Sequence, residues 1–250
     1  MSINDNCFFI LIINNVCIKF IYKVIFVIKM INHKIIQNLI SIESKIKSSL
    51  NDSSIERLPK IIAVSKTFKI EKIQPLIDYG HIDFGENKVQ EALDKWSQIK
   101  TINPKIQLHM IGKLQTNKVK FAVRLFDYIH SVDSIKLALK IASEEKKQNK
   151  KVKIFIQVNI GNEIQKSGID KKLLKNLILY CKDLNLDVVG LMCIPPEGIN
   201  PSSFFKETYL LNKEYNFFEL SMGMSADYIQ AVENFSTYLR IGSSIFGERV

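Results

Sequence analysis

A chain of 250 residues, 46% hydrophobic and with a formal net charge of +10, has room for one large domain with a sizeable core. Its four cysteines, Cys7, Cys17, Cys181 and Cys193, show no C-x-x-C spacing and no histidine nearby, which argues against a zinc site or disulfide framework and makes a reducing cytoplasm the expected compartment. The lysines are scattered, dense only in EEKKQNKKVK (144–153), which reads as a solvated helix end and linker. The wealth of Ile, Lys and Asn suits drift toward AT-rich codons, so no nucleic-acid partner is expected from charge alone.

The N-terminal stretch CFFILIINNVCIKFIYKVIFVIKM (7–30) is apolar but interrupted by Asn14, Asn15, Lys19 and Lys23. Its longest unbroken run, 7–13, falls far short of the roughly 20 residues of a membrane helix. No small-residue cleavage site follows, so residues 1–29 are read as an extension, with a membrane-surface anchor as the lesser alternative. From Met30, the residues Ile35, Ile36, Leu39, Ile42, Ile46 and Leu50 fall at helical spacing. Eight short apolar runs then follow: 60–66, 81–86, 107–112, 127–132, 153–160, 187–194, 217–222 and 238–246. Amphipathic segments such as VQEALDKWSQI and KKLLKNLILYCKDL lie between them. This alternation predicts a parallel sheet. Eight repeats behind one leading helix predict a single α/β domain, a (β/α)8 TIM-type barrel with an N-terminal helix, over residues 30–250. An open doubly wound sheet would carry a Gly-x-Gly-x-x-Gly turn after its first strand, but here Lys66 is followed by Thr-Phe-Lys.

The polar and glycine-rich residues gather where the runs end, which in a barrel is the rim that builds the site. The first run, IIAVSKTF (61–68), delivers Lys66 to that rim. A lysine held against apolar walls is a nucleophile, because burial disfavours its charged form. After the seventh and eighth runs, LSMGMSADY (220–228) and LRIGSSIFGER (239–249) join small residues to helical or turn segments. Gly223 and Gly242 admit close backbone approach, and Ser225, Ser243 and Ser244 offer hydroxyls. Asp227 is positioned to cap the following helix. Loops after strands 7 and 8 are the usual phosphate site of this fold. Barrel closure sets them beside strand 1, so a ligand with an aldehyde at one end and a phosphate at the other would bridge them. Pyridoxal 5′-phosphate (PLP) has that layout. Arg240 points inward, either to the pyridine nitrogen or into an ion pair with Glu86 or Glu248. Softer candidates are His109 and His130, read as hydrogen-bonded packing residues, and Thr67, placed to orient the Lys66 amine. Met222 and Met224 fill the barrel or pack on a ligand ring, and Lys113, Asn117 and Lys118 either hold an anion or start a helix. No metal motif is present.

The stretches AVSKTF, FGENKVQEALDKW, HMIGKLQTNK, HSVDS, QVNIGNEIQKSGI, GLMCIPP, LSMGMSADY and RIGSSIFGER occur in order over about residues 31–249. Together they resemble the pyridoxal phosphate homeostasis proteins of the YggS/PROSC type, whose fold is that of the alanine racemase N-terminal barrel. The resemblance implies a Schiff base at Lys66, phosphate contacts from Ser225 and the Gly242–Ser243 backbone, Arg240 near the ring nitrogen, and Asn87 in the same pocket, where Met224 is counted as the methionine that packs on the ring. Lys88 and Lys113 depart from the aromatic and the proline common in that family, and residues 1–29 have no counterpart in it. A racemase of this fold needs a second acid/base group, supplied by a tyrosine from a separate β domain of a partner subunit. The chain ends at Val250 with no such domain. The expectation is therefore a monomeric, cytoplasmic PLP carrier that serves PLP-dependent apo-enzymes, with an amino-acid racemase or weak PLP enzyme as the alternative.

Overall fold

The structure, a computed structural model, describes residues 31–50, 57–163 and 165–248. The N-terminal extension 1–29, with Cys7 and Cys17, lies outside the described residues. In chain order the elements are α1 (Lys34–Leu50), β1 (Lys60–Val64), α2 (Ile70–Tyr79), β2 (Asp83–Glu86), α3 (Val89–Ile102), β3 (Gln107–Met110) and α4 (Val119–Leu125). Then come β4 (Tyr128–Val132), α5 (Ile135–Gln148), β5 (Lys153–Val158), α6 (Lys171–Asp183), β6 (Asp187–Cys193) and α7 (Ser202–Glu214). β7 (Glu219–Met224), α8 (Tyr228–Glu233), β8 (Tyr238–Ile241) and α9 (Ser243–Phe246) complete the series.

The strands form a closed barrel in sequence order, all parallel. Closure is made by β8 against β1, with Ile62 opposite Arg240. All eight apolar runs are strands. The last is cut short: β8 ends at Ile241, and the rest of that run turns into α9.

Period-2 alternation sorts the strand side chains into two layers. Ile62, Tyr128, Phe155, Met192 and Tyr238 meet in the barrel's centre. Ala63, Phe84, Leu108, Ile129, Ile154, Leu191, Leu220 and Leu239 face the helices. Met222 belongs to this outer layer, so it does not fill the barrel as its neighbours in sequence suggested.

The helix predicted from Met30 onward is α1, and Ile35, Ile36, Leu39, Ile42 and Ile46 form its buried stripe. Each such side chain contributes about 1.5–3 kcal/mol when taken fully out of water. The stripe packs on α8 and α9 on one side and α2 on the other. The Asn38 side-chain amide also donates to the Ile245 carbonyl at 2.8 Å. Because α9 is a single turn, α1 covers the seam that a full eighth helix would cover.

The basic cluster at 144–153 is less solvated than its composition suggests. Glu144 and Glu145 are buried. Lys140 and Lys147 pair with Glu144, and Lys151 pairs with Glu145. Glu144 and Glu145 thus answer part of the cluster's positive charge within the α5–β5 corner. Among the described residues no helix is long and apolar enough to cross a membrane.

Candidate functional site

The β1 strand ends in a tight turn. Phe68 N–H donates to the Ser65 carbonyl at 3.2 Å, and Thr67 takes the left-handed conformation with φ 69°. A β-branched residue there is strained, so something must hold it. Glu91 on α3 does so by accepting the Thr67 backbone N–H. Lys95, one turn further along α3, bonds the Ser65 carbonyl at 2.8 Å, Glu86 at 2.8 Å and Glu91 at 3.0 Å. Glu86 Oε1 also accepts from Ser65 Oγ at 2.7 Å and Trp96 Nε1 at 2.9 Å. Burial pushes the Glu91 carboxyl up, but the Thr67 N–H and Lys95 outweigh it and hold its pKa below the usual range. A buried acid–base cluster thus pins the turn that carries Lys66. Thr67 takes part in this cluster through its backbone N–H.

Lys66 itself is half-buried. It lines a cavity of about 490 Å³ with Asn87, Met224, Ser225, Arg240, Gly242 and Ser243. All seven residues expected at the site therefore meet in one place. Sequence reasoning missed the apolar walls Val64, Phe68, Ile111 and Ile194, while Glu248, weighed there as a partner for Arg240, lies at the rim. Period-2 alternation from Lys66 and Arg240 would have found Val64. Phe68 could not have been found that way, since it reaches across to Phe246 with ring centroids 5.0 Å apart. Lys113, Asn117 and Lys118 lie on the β3–α4 connection and do not line the cavity.

The β7 and β8 turns are stitched together by Ser225. Its Oγ accepts from the backbone N–H of Gly242 and of Ser244, both at 3.3 Å. Gly223 has φ +89°, and a Cβ there would sit 2.5 Å from the Ala231 Cβ, so only glycine lets α8 close on β7. Asp227 begins α8 without a side-chain cap and instead accepts the Met224 N–H at 2.6 Å. The carboxylate thus braces the β7 turn rather than the helix it precedes. Val64 of β1 lies 3.4 Å from where a Gly242 Cβ would be, so the lysine turn and the β8 turn are adjacent.

Arg240 sits at the base of the cavity and is 4% exposed. It donates through Nη1 to Ser221 Oγ at 2.7 Å and through Nη2 to the Cys193 carbonyl at 2.9 Å. Neither Glu86 nor Glu248 pairs with it: Glu86 is committed to Lys95, and Glu248 is exposed at the rim. Burial lowers the arginine's pKa from its ordinary value, while Cys193 and Asp227 act in the opposite sense. Cys193 packs, with its thiol pushed up to about 11 by burial. Among the described residues no cluster of His, Cys, Asp and Glu is arranged to hold a metal.

A strand-end lysine, a buried arginine and two small-residue turns on the mouth of a closed barrel define the class of α/β barrels that take an anionic, amine-reactive ligand. The family model described as "Alanine racemase, N-terminal domain" matches residues 48–250. A pyridoxal phosphate homeostasis protein from Aquifex aeolicus (strain VF5) is 39% identical over 204 residues, covering 78% of this chain and 89% of that protein. The protein of that name from Homo sapiens is 38% identical over 212 residues, 76% of this chain and 77% of that one. PipY of Synechococcus elongatus PCC7942, solved with PLP bound, superposes with a TM-score of 0.75 at 32% identity, over 85% of this chain and 100% of that one. The alanine racemase of Clostridium difficile 630 shares the fold alone, with a TM-score of 0.66 at 14% identity over 87% of this chain and 57% of that one. The chain belongs to the pyridoxal phosphate homeostasis protein family, within the alanine racemase N-terminal domain group.

Proposed function

We propose that this protein holds PLP covalently through Lys66 at the mouth of the barrel and serves PLP homeostasis by storing the cofactor and releasing it to PLP-dependent apo-enzymes. The observation that carries the reading is the convergence of Lys66, Arg240 and the β7 and β8 turns on one cavity. The donor set suits the group. Lysine and arginine side chains, serine hydroxyls and backbone N–H groups face apolar Val64, Ile111, Ile194 and Met224, and Glu248 is the one carboxylate among the described lining residues.

When bound, PLP brings an aldehyde, a phosphate, and a ring whose nitrogen governs how well it withdraws electrons. Lys66 supplies the amine. The Ser225 hydroxyl, whose oxygen already accepts from Gly242 and Ser244, would donate its own hydrogen to the phosphate together with backbone N–H groups of the Gly242–Ser243 turn. Asn87 and Met224 would line the ring's part of the cavity, and Arg240 would be the partner for its nitrogen. A permanently charged guanidinium disfavours a proton at that atom, which suits a carrier better than a racemase. The relatives' shared name and the PLP-bound PipY structure point the same way. The buried free thiols of Cys181 and Cys193 suit a reducing cytoplasm. The protein is taken to act as a monomer, which size-exclusion chromatography with light scattering checks.

Incubation with L-alanine in D₂O, followed by chiral chromatography, separates carrier from enzyme. The expected result is no inversion at the rates typical of enzymes, about 1–10³ s⁻¹. Turnover in that range would make the protein a racemase. Ser225→Ala should weaken PLP retention, measured by equilibrium dialysis, by about 1.5–3 kcal/mol, or one to two decades, because a hydrogen bond to a charged group is lost. Unchanged retention would mean that backbone groups alone hold the phosphate.

The PLP-binding unit is residues 30–250. Deleting residues 1–29 should leave the melting temperature and PLP retention as they are in the full chain, since the stripe of α1 begins at Ile35. A colourless or insoluble truncated protein would move that boundary.

A further inference from the structure

Below Arg240 the barrel core holds a line of polar groups that the proposed function does not use. Ser221, His130, His109 and Asp83 are all buried. Arg240 Nη1 lies 2.7 Å from Ser221 Oγ, and Ser221 Oγ lies 2.8 Å from His130 Nδ1. His130 Nε2 lies 3.0 Å from His109 Nδ1, and His109 Nε2 lies 3.0 Å from Asp83 Oδ1. The line runs from the cavity down to the N-terminal end of β2.

We infer that Asp83, His109, His130 and Ser221 form a one-way hydrogen-bond relay that positions Arg240 for the ligand in the cavity. The direction follows from counting protons. A carboxylate only accepts, so His109 carries its hydrogen on Nε2. In a neutral ring its Nδ1 then accepts, and His130 must donate to it from Nε2. His130 Nδ1 is left as an acceptor, so Ser221 donates its only hydrogen there. The lone pairs of Ser221 Oγ therefore face Arg240, which can only donate. Every group is satisfied once, and every bond points from the arginine toward the aspartate. Reversing His130 would turn its Nδ1 into a donor, leave the Ser221 proton without that acceptor and set two nitrogen lone pairs against each other between the rings.

The charge states agree with this order. Burial is the main cause holding both histidines below their ordinary pKa, against the pull of Asp83 on His109. Burial pushes Asp83 up, but His109 and Lys60 outweigh it and keep the carboxyl below its usual range. Bonds aligned in one sense polarise one another. The carboxylate of Asp83 thus adds through the relay to the attraction that Asp227 exerts on Arg240, whose direct hydrogen-bond partners, Ser221 and the Cys193 carbonyl, are neutral. Asp83, His109, His130 and Ser221 are positioning residues and do not touch the ligand.

The inference rests on the PLP reading only for what occupies the cavity, and its first test needs no cofactor. Nitrogen-15 imidazole NMR of the ligand-free protein at pH 7 should show His109 and His130 both neutral, each with its proton on Nε2. A proton on Nδ1 of His130, or an imidazolium at either residue, overturns the relay. The second test is Ser221→Ala, which cuts the relay next to Arg240. It should weaken PLP retention by about tenfold and change the His130 imidazole signals more than those of His109, whose proton stays on Nε2 facing Asp83. Tyr128→Phe is the control. It removes a hydroxyl from the same core layer, the acceptor of Tyr238 at 3.4 Å, breaks no hydrogen bond of the relay, and keeps the ring that stacks on His109 with centroids 4.4 Å apart. It should leave retention unchanged and the protons of His109 and His130 on Nε2. Equal retention in Ser221→Ala and the unmodified protein overturns the positioning role. A protein that shows the predicted tautomers but never takes up PLP keeps the relay and defeats the cofactor reading instead.

Discussion

Borohydride reduction of the PLP-loaded protein should fix one pyridoxyl group on Lys66, and Lys66→Ala should carry none. The expected effect is total because a covalent link needs an amine at that place. Arg240, which also lines the cavity, is permanently charged and cannot replace it. The turn is built to present the lysine. Thr67 is held in a left-handed conformation by Glu91, and Ser65 is tied by Lys95 and Glu86. The phosphate donors at Ser225 and the Gly242–Ser243 turn remain in the variant. It should therefore still bind PLP reversibly, and equilibrium dialysis will detect this. Mass spectrometry of the reduced, digested protein is the deciding measurement. A pyridoxyl group on another lysine would defeat the assignment.

Glu86→Ala should unfold the protein at a markedly lower temperature. Glu86 is fully buried, and its Oε1 is the shared acceptor of Ser65, Lys95 and Trp96. The Lys95 side chain is only 8% exposed, so removing Glu86 leaves a buried ammonium short of its nearest counter-charge. Breaking one side of such a pair costs about 3–5 kcal/mol. For a domain of this size each kcal/mol lowers the melting temperature by about 2–4 °C. Calorimetry should thus find a drop of roughly 6–20 °C. Glu86→Gln keeps the shape and some of the hydrogen bonds and should fall between the two. A melting temperature unchanged in Glu86→Ala would show that Glu91 alone satisfies Lys95.

These residues differ in how visible they are in sequence. Glu86 and Lys95 stand nine positions apart on a strand and the helix after it, and nothing in GENKVQEALDK says that the lysine folds back under the strand. Their pairing depends on α3 lying against β2, which is a consequence of the whole barrel. Asp227 was misread for the opposite reason. Its place before a helix is the local signature of a cap, but its carboxylate finds the Met224 N–H first. Met222 and Met224 look alike in sequence. Gly223, at φ +89°, breaks the alternation between them, so one enters the outer layer and the other the cavity.

By itself the sequence determined what periodicity and end residues can carry. That comprises eight strands alternating with helices, the buried stripe of α1, a lysine at the end of β1, and two small-residue turns after β7 and β8. These are properties of neighbouring residues, set by backbone geometry and by which face must be buried. The tertiary structure alone decided the rest. His130 meets Ser221 across 91 positions of sequence, and His109 meets Asp83 across 26. Such pairs exist because closing the sheet turns every second side chain of different strands into one small interior, where buried polar groups must find partners in each other.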